Sequence, residues 1–417
     1  MGLRRSAIAF VSLIAVLTTL AMLSGTAARK EAKRAGATGK SVTGSYANPV
    51  INTTAACLSN AALYNVACST ADPSVIRATN PADGKQYYYA YVTNSRYGLT
   101  PELVPVWRSR DMVTWTHVGN VLPNVGSWAY SAKDGFGFTV SDVWAPHVQQ
   151  IGSRYYLFYS APIKSSTNTD TGFKGIGYAT ATSPEGPFTD KGLLVNYAIR
   201  NAYAKKKNPG YEIDPYLLVD GTRYYLSWGS GRNWTDFSNE GITMQEVTVN
   251  ASTGAMSMKS GTTPTDVVLA GRGGLPNFVE GSWIYKQGSY YYLLVSGGAK
   301  LFNPWAWDYG GDYAVYAARA TSPLGPYTVR AGAILTSPVV GSTACSTTPC
   351  FHASGHGSVI NDAAGTPWFV YHAWLDGAQS SGRMLMLNQI SIATDGYPMI
   401  ASGSPTATAS VKPSPLP

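Results

Sequence analysis

Residues 214–228 read DPYLLVDGTRYYLSW: an acid, a short apolar run, a polar turn and a tyrosine-rich strand. The same order recurs along the chain. Asp72 in ADPSVI precedes YYYAY at 87–91, and Glu280 in VEGSWIY precedes YYYLL at 290–294. Two further copies carry histidine at the corresponding spot: His147 in WAPHVQQ, before YYLFY at 155–159, and His356 in GHGSVIND, before WFVY at 368–371. The aromatic strands start at 87, 155, 224, 290 and 368, in steps of 68, 69, 66 and 78. A second marker keeps the same beat, TSPEGPF at 182–188 returning as TSPLGPY at 321–327, 139 residues or two periods later.

Within a unit the order is apolar run, turn, aromatic strand, loop, third strand, turn and fourth strand. The second unit shows it as WAPHVQQI, Gly152-Ser153, YYLFYSA, GIGYATA and GPFTDKGLLV. Short runs rich in Tyr, Val, Ile and Trp, broken by Gly, Pro, Asn and Asp, are strand signals. No sustained 3.6-residue apolar period occurs beyond the first 28 residues. Five four-stranded units predict an all-β, five-bladed β-propeller with a central channel, because radial stacking shields sheet edges and buries aromatic faces between blades. A β-helix or a sandwich accounts less well for units of this length and regularity. In a propeller the first strand of each blade lines the channel, so Asp72, His147, Asp214, Glu280 and His356 are expected to meet at its mouth.

The flanks read differently. Residues 1–28 carry Arg4 and Arg5, an apolar stretch and small residues at 24–28, the pattern of a secretory signal peptide and hence of an extracellular protein. Residues 29–44 are expected to be a flexible segment, 45–401 the propeller, and 402–417 (SGSPTATASVKPSPLP) a disordered Ser/Thr/Pro-rich tail. Seven basic residues against Glu31 place +6 of the whole-chain +8 within residues 1–40, leaving +2 for the remainder. A nearly neutral body gives no reason to expect nucleic acid, nor a membrane once the leader is removed, and a monomer is expected. Four cysteines suit an oxidising compartment; the local pairs Cys57–Cys68 and Cys345–Cys350 are favoured among three possible pairings, and no C-x-x-C metal spacing is present.

Three acids in one cleft repel one another unless their charge is used. Cleavage of a glycosidic bond uses one protonated carboxyl to expel the leaving oxygen and one carboxylate to act on water or on the sugar, and a third raises the acid's pKa. Taken singly, each acid also reads as an ordinary turn residue. The segments ADPSVI, VWAPHV, EIDPYLLVDGTRYYLSW, VEGSWIYKQGSYYYLLVS and GHGSVI resemble the family 43 glycoside hydrolases over roughly residues 65–400. These are inverting, five-bladed enzymes acting on arabinose- and xylose-containing polysaccharides. The resemblance implies Asp72 as general base, Glu280 as general acid and Asp214 as the group that tunes and holds the acid. Inversion implies a separation of about 6.5–9.5 Å between the base and acid carboxyls. His147 stands where the family often has Asp, and Ser282 where it often has Pro, which bears on substrate preference rather than reaction type.

By the same resemblance His356 would contact a calcium ion through water, and Arg383 would meet a terminal sugar; the chemistry itself requires no cofactor. Aromatic sugar-contact candidates are Trp144, Trp234, Trp283, Trp305 and Trp307, with His147 and His356 in the channel wall. Insertions at 123–140, 196–211 and 298–312 are expected to wall the cleft. His117, His352 and His372 receive no role. Arabinan or arabinofuranosyl side chains are the expected substrate, with a xylan-active hydrolase of the same family or a non-catalytic carbohydrate-binding propeller as alternatives. A retaining fructosidase is disfavoured because the first blade lacks a WxND segment.

Overall fold

A computed structural model describes residues 44–53, 68–97, 100–196, 212–229, 241–250, 252–298, 313–337, 349–376, 382–408 and 410–417. The leader and most of the segment after it lie outside these residues. So do Trp234, Trp305, Trp307 and the insertions over 197–211 and 299–312.

Five antiparallel sheets form the five blades of a β-propeller. The first comprises Ser74–Thr79, Gln86–Tyr91, Pro105–Ser109 and Trp115–Asn120. The second comprises Trp144–Ile151, Arg154–Lys164, Asp170–Ala181 and Thr189–Val195. In the third, Tyr216–Asp220, Arg223–Trp228 and Gly241–Val249 are followed by two short pieces, Met256–Met258 and Thr265–Leu269. Both pair with Gly241–Val249, so the outer position is shared between them, where the sequence led us to expect one strand. The fourth holds Phe278–Gln287, Tyr290–Gly298, Ala314–Ala320 and Thr328–Val329; the fifth holds Phe351–Asn361, Pro367–Leu375, Met384–Ile392 and Pro398–Ile400.

The tyrosine strands explain how the blades stack. Successive side chains of a strand face opposite sides of its sheet. Tyr89 and Tyr91 therefore pack with Val148, Leu157 and Tyr159 of the second blade, while Tyr88 packs with Trp368, Val370 and Leu385 of the fifth. Likewise Tyr156 and Phe158 meet Leu217, Leu226 and Trp228 of the third blade. Two more clusters join the third blade to the fourth and the fourth to the fifth. The TSPxGP marker is a docking turn: Pro184 O accepts from Tyr91 Oη at 2.7 Å, and Glu185 Oε1 from Arg108 Nη1 at 2.7 Å, tying the second blade to the first.

Both flanking segments close the seam between the first and fifth blades. The Asn48 side chain accepts from the Leu387 amide at 2.8 Å and donates to the Leu387 carbonyl at 2.9 Å; the Val50 amide reaches Leu385 O at 2.9 Å. The expectation of a disordered tail over 402–417 is corrected. Ser410–Val411 pairs with Ser45–Tyr46, the Ser414 amide donates to Asp362 Oδ2 at 2.9 Å, and the Leu416 amide donates to Arg110 O at 2.9 Å. Composition misled here because one apolar residue, Leu416, finds a seat among Trp107, Met112 and Trp368. Cys68 and Cys350 are each disulfide-bonded, but Cys57 and Cys345, and with them the expected pairings, lie outside the described residues.

Leu416→Ala is expected to cost about 2–3 kcal/mol through the lost burial and the cavity left at the seam. A lowered urea midpoint at unchanged slope would show it; an unaltered midpoint would mean that the tail contributes nothing to closure.

Candidate active site

Each blade's inner segment carries an equivalent residue in the left-handed region, Asp72 (φ 53°), Ala145 (42°), Asp214 (58°), Gly281 (60°) and His356 (44°), and the fifth carries a second, Ala353 (48°). Such a conformation costs a non-glycine residue about 1–3 kcal/mol and persists only where the surroundings enforce it. These five positions are equivalent, which corrects the expected alignment of the motifs. Glu280 precedes its blade's left-handed residue by one and His147 follows its own by two. The ladder shifts register in the same way between Trp144 and His147, Glu280 and Trp283, and Gly355 and Ser358, so the bulge is common to these blades and the offset lies in which residue of each motif was matched.

A cavity at the channel head is lined by Asp72, Ala145, Asp214, Ser282 and His356, one from each blade. Two residues beyond each of the five equivalent positions come Ser74, His147, Tyr216, Trp283 and Ser358. His147, Tyr216 and Trp283 close the floor, with ring centroids 4.6–5.3 Å apart. His147 is 2% exposed and its pKa is pushed down to about 3 by burial, so it is a neutral wall residue. The half-buried Trp144 sits just before Ala145, with Lys174 Nζ 4.0 Å from its ring centre.

Asp72 is pinned at both carboxyl oxygens. Thr93 Oγ1 donates to Oδ2 at 2.6 Å, Arg383 Nη1 donates to Oδ1 at 3.0 Å, and His356 Nδ1 and His372 Nδ1 each lie 3.3 Å from Oδ1. Burial alone would raise its pKa, but Arg383 and then His356 lead the effects that outweigh burial and hold the carboxyl well below the usual range. Asp72 is an ionised carboxylate.

Asp214 is the opposite case. Its Oδ2 accepts the Gly281 amide at 3.1 Å, yet burial, then Glu280, then Asp72 push its pKa well above the usual value. Glu280 Oε1 accepts from the Tyr313 hydroxyl at 3.0 Å. Ligand-capable atoms of Asp214, Glu280 and His356 lie within 4.8 Å of one another. Two carboxyls this close inside protein titrate as a pair, and the Glu280 charge adds to burial in raising Asp214. Calcium takes about six to eight oxygens. Two carboxyls and an imidazole, already engaged with Gly281, Tyr313 and Asp72, do not fit a directly held calcium ion.

The glycines of the GHG segment shape this corner. A Cβ on Gly355 would lie 2.8 Å from the Tyr313 ring, and one on Gly357 would lie 2.2 Å from Val370 O. Of the expected walls, 123–140 is described. Its hairpin, Ala132–Lys133 with Thr139–Val140, presents Phe136 and Phe138, 48% and 37% exposed. The Arg96 guanidinium supports both rings, 5.2 and 5.8 Å from their centres, and is ion-paired to Asp134.

Motif reading missed Thr93, Tyr313 and His372. Thr93 and His372 lie at the ends of the aromatic strands, beyond the acid-bearing segments; Tyr313 follows a long insertion and belongs to no repeat marker.

The model of glycosyl hydrolases family 43 matches residues 66–398. A probable arabinan endo-1,5-α-L-arabinosidase A of Aspergillus flavus is 32% identical over 65% of this chain and 71% of its own length. An exo-1,5-α-L-arabinanase structure from a bovine ruminal metagenomic library superposes with TM-score 0.55 at 22% identity, covering 80% of this chain and 97% of that one. A xylan β-1,4-xylosidase structure from Bacillus halodurans gives 0.58 at 20% identity, over 88% of this chain but only 59% of that longer one.

A Cβ at Gly281 would lie 2.8 Å from His356 Cγ, in a backbone conformation that already disfavours a side chain. Gly281→Ala is therefore expected to displace the imidazole from Asp72 and lower turnover of a nitrophenyl pentoside at least about tenfold. Wild-type turnover in this variant would show that the His356 position is not critical.

Proposed function

We propose that this chain, which belongs to glycosyl hydrolases family 43, hydrolyses arabinose-containing plant cell-wall polysaccharide with inversion at the anomeric carbon. The observation carrying this reading is the charge asymmetry across the channel mouth. Asp72 is held ionised by Arg383 and His356, while burial and Glu280 push Asp214 toward its protonated form, and on this reading the Asp214–Glu280 pair holds one proton. Inverting hydrolysis asks for that division of labour. Asp72 acts as base, drawing a proton from the water that attacks the anomeric carbon. Glu280, steered by the Tyr313 hydroxyl, gives its proton to the leaving oxygen. Asp214 supplies the negative charge that keeps the proton on Glu280 until the bond breaks.

Arabinan is favoured over xylan because the A. flavus relative, named for arabinan, matches at 32% identity, whereas the likeness to the xylosidase supports the fold only. The half-buried Trp144 and the Phe136–Phe138 hairpin offer flat faces to furanose rings beside the acids. The leader read over residues 1–28 would carry the enzyme to that polymer outside the cell.

Glu280→Gln is expected to lower kcat on debranched arabinan by about 10²–10⁴-fold while sugar binding persists. Product analysis on arabinan, arabinoxylan and xylobiose tests the substrate, and a wild type inert on all three would defeat the reading. The pH profile gives a second test. Activity needs the Asp214–Glu280 pair to hold its proton, so it falls as pH rises through the loss of that proton. Asp214→Asn removes the charge that retains it and should move the alkaline limb to lower pH; an unmoved limb would leave Asp214 only a positional role.

An ion reached through water at His356 would stand apart from these proton transfers, and no step is routed through it. EDTA is expected to leave kcat within about twofold. A tenfold loss restored by calcium would put an ion into the working site.

A further inference from the structure

We propose that His372 is a positioning residue for Asp72: its unprotonated Nδ1 accepts the Asp72 amide and completes a ring of hydrogen bonds between blades. This rests on reading Asp72 as the base.

The argument starts from an equivalence. Each returning second strand places one residue opposite the residue that precedes the left-handed one. Ser160 pairs with Trp144, Ser296 with Glu280 and His372 with Gly355; the amides of Thr93 and Gly229 meet Ala71 O and Ile213 O. From this position a side chain reaches forward to the next blade. The Ala145 amide donates to Thr93 Oγ1 at 2.8 Å, the Asp214 amide to Ser160 Oγ at 3.1 Å, and the His356 amide to Ser296 Oγ at 2.8 Å. Gly229 has no side chain, and the Gly281 amide turns instead to Asp214 Oδ2. The last member is His372, whose Nδ1 accepts the Asp72 amide at 3.1 Å.

A hydroxyl can accept one hydrogen bond and donate another, as Thr93 does between Ala145 and Asp72. One imidazole nitrogen cannot do both. His372 Nδ1 faces the Asp72 amide at 3.1 Å and Asp72 Oδ1 at 3.3 Å. The amide is buried and its hydrogen is fixed, so it takes the lone pair. The imidazole is then neutral with its proton on Nε2, and Oδ1 draws its hydrogen bond from Arg383, with His356 Nδ1 3.3 Å away. Burial and Arg383 lower the His372 pKa to about 4, in keeping with that form. The ring also lies nearly parallel to Tyr313, which holds Glu280, at 12° and a 6.2 Å centroid distance. A single side chain thus stands behind both the base and the residue that steers the acid.

The substitutions His372→Asn, His372→Gln and His372→Leu separate this from a packing role. Asn places an oxygen near the Nδ1 position, Gln places it about one bond further out, and Leu supplies none. His372→Asn should keep kcat within about threefold, while Gln and Leu should lose about 10²-fold with KM changed less than about twofold. Equal kcat in the Asn and Gln variants, or wild-type kcat in the Leu variant, would overturn the proposal. If the Leu variant does not fold, the Asn–Gln comparison still decides. Long-range ¹H–¹⁵N spectra of the wild type should show a neutral His372 protonated at Nε2, and a proton on Nδ1 would overturn it too. A wild type inert on every pentose glycan would defeat the functional reading instead, and the tautomer would still test the hydrogen bond.

Discussion

One backbone constraint organises the channel: each blade's inner segment holds, at an equivalent position, a residue forced into the left-handed region, its amide given to an acceptor outside its own strand. Four of the five are not glycine, so the fold carries about 1–3 kcal/mol of strain at each. What enforces it is the rule that a buried amide must find an acceptor. Thr93, Ser160, Ser296 and His372 provide acceptors from neighbouring blades, and Asp214 does so with its own carboxylate. The device that knits blade to blade is therefore the one that turns Asp72, Asp214 and His356 toward a common cavity.

The electrostatics follow from which blade supplies what. The fifth blade brings Arg383, His356 and His372 to Asp72; only Arg383 carries a fixed charge, and it decides that Asp72 ionises. Asp214 receives a single amide and faces Glu280 at close range, so burial and like charge dominate. Two aspartates at equivalent positions thus become chemically opposite through their neighbours alone. Fold symmetry supplies the placement, and its breaking in the fifth blade supplies the chemistry.

Much of this was legible in the sequence. Period-two tyrosine strands at a near-constant step are a direct imprint of blades that bury both faces, and the five clusters between blades bear that out. The gathering of Asp72, Asp214, Glu280 and His356 was legible too. The alignment of Glu280 and His147 was not, because the equivalent positions in their blades are Gly281 and Ala145, which carry no reactive side chain to mark them. His372 went unnoticed because its signal is positional. It appears only when the ends of the aromatic strands are laid together and Thr, Ser, Gly, Ser and His fall in one column. The tail over 402–417 misled because its composition lacks a core, whereas its order comes from pairing with Ser45–Tyr46 and one seated leucine.

The seam between the first and fifth blades carries more than closure. Asp72 belongs to the first blade, yet three of its four side-chain neighbours, Arg383, His356 and His372, come from the fifth. Relative movement of these two blades would shift the carboxylate against the groups that hold it ionised. The segments at 44–53 and 410–417 grip this seam. Asn48 and Val50 hold Leu385 and Leu387 on the strand that follows Arg383, and the tail runs from Asp362 in the fifth blade to Arg110 in the first. Contacts that look purely structural on the periphery therefore act along the same joint that sets the geometry of the proposed base. Stability at the seam and chemistry at the mouth are expected to vary together, more strongly there than at the four other joints.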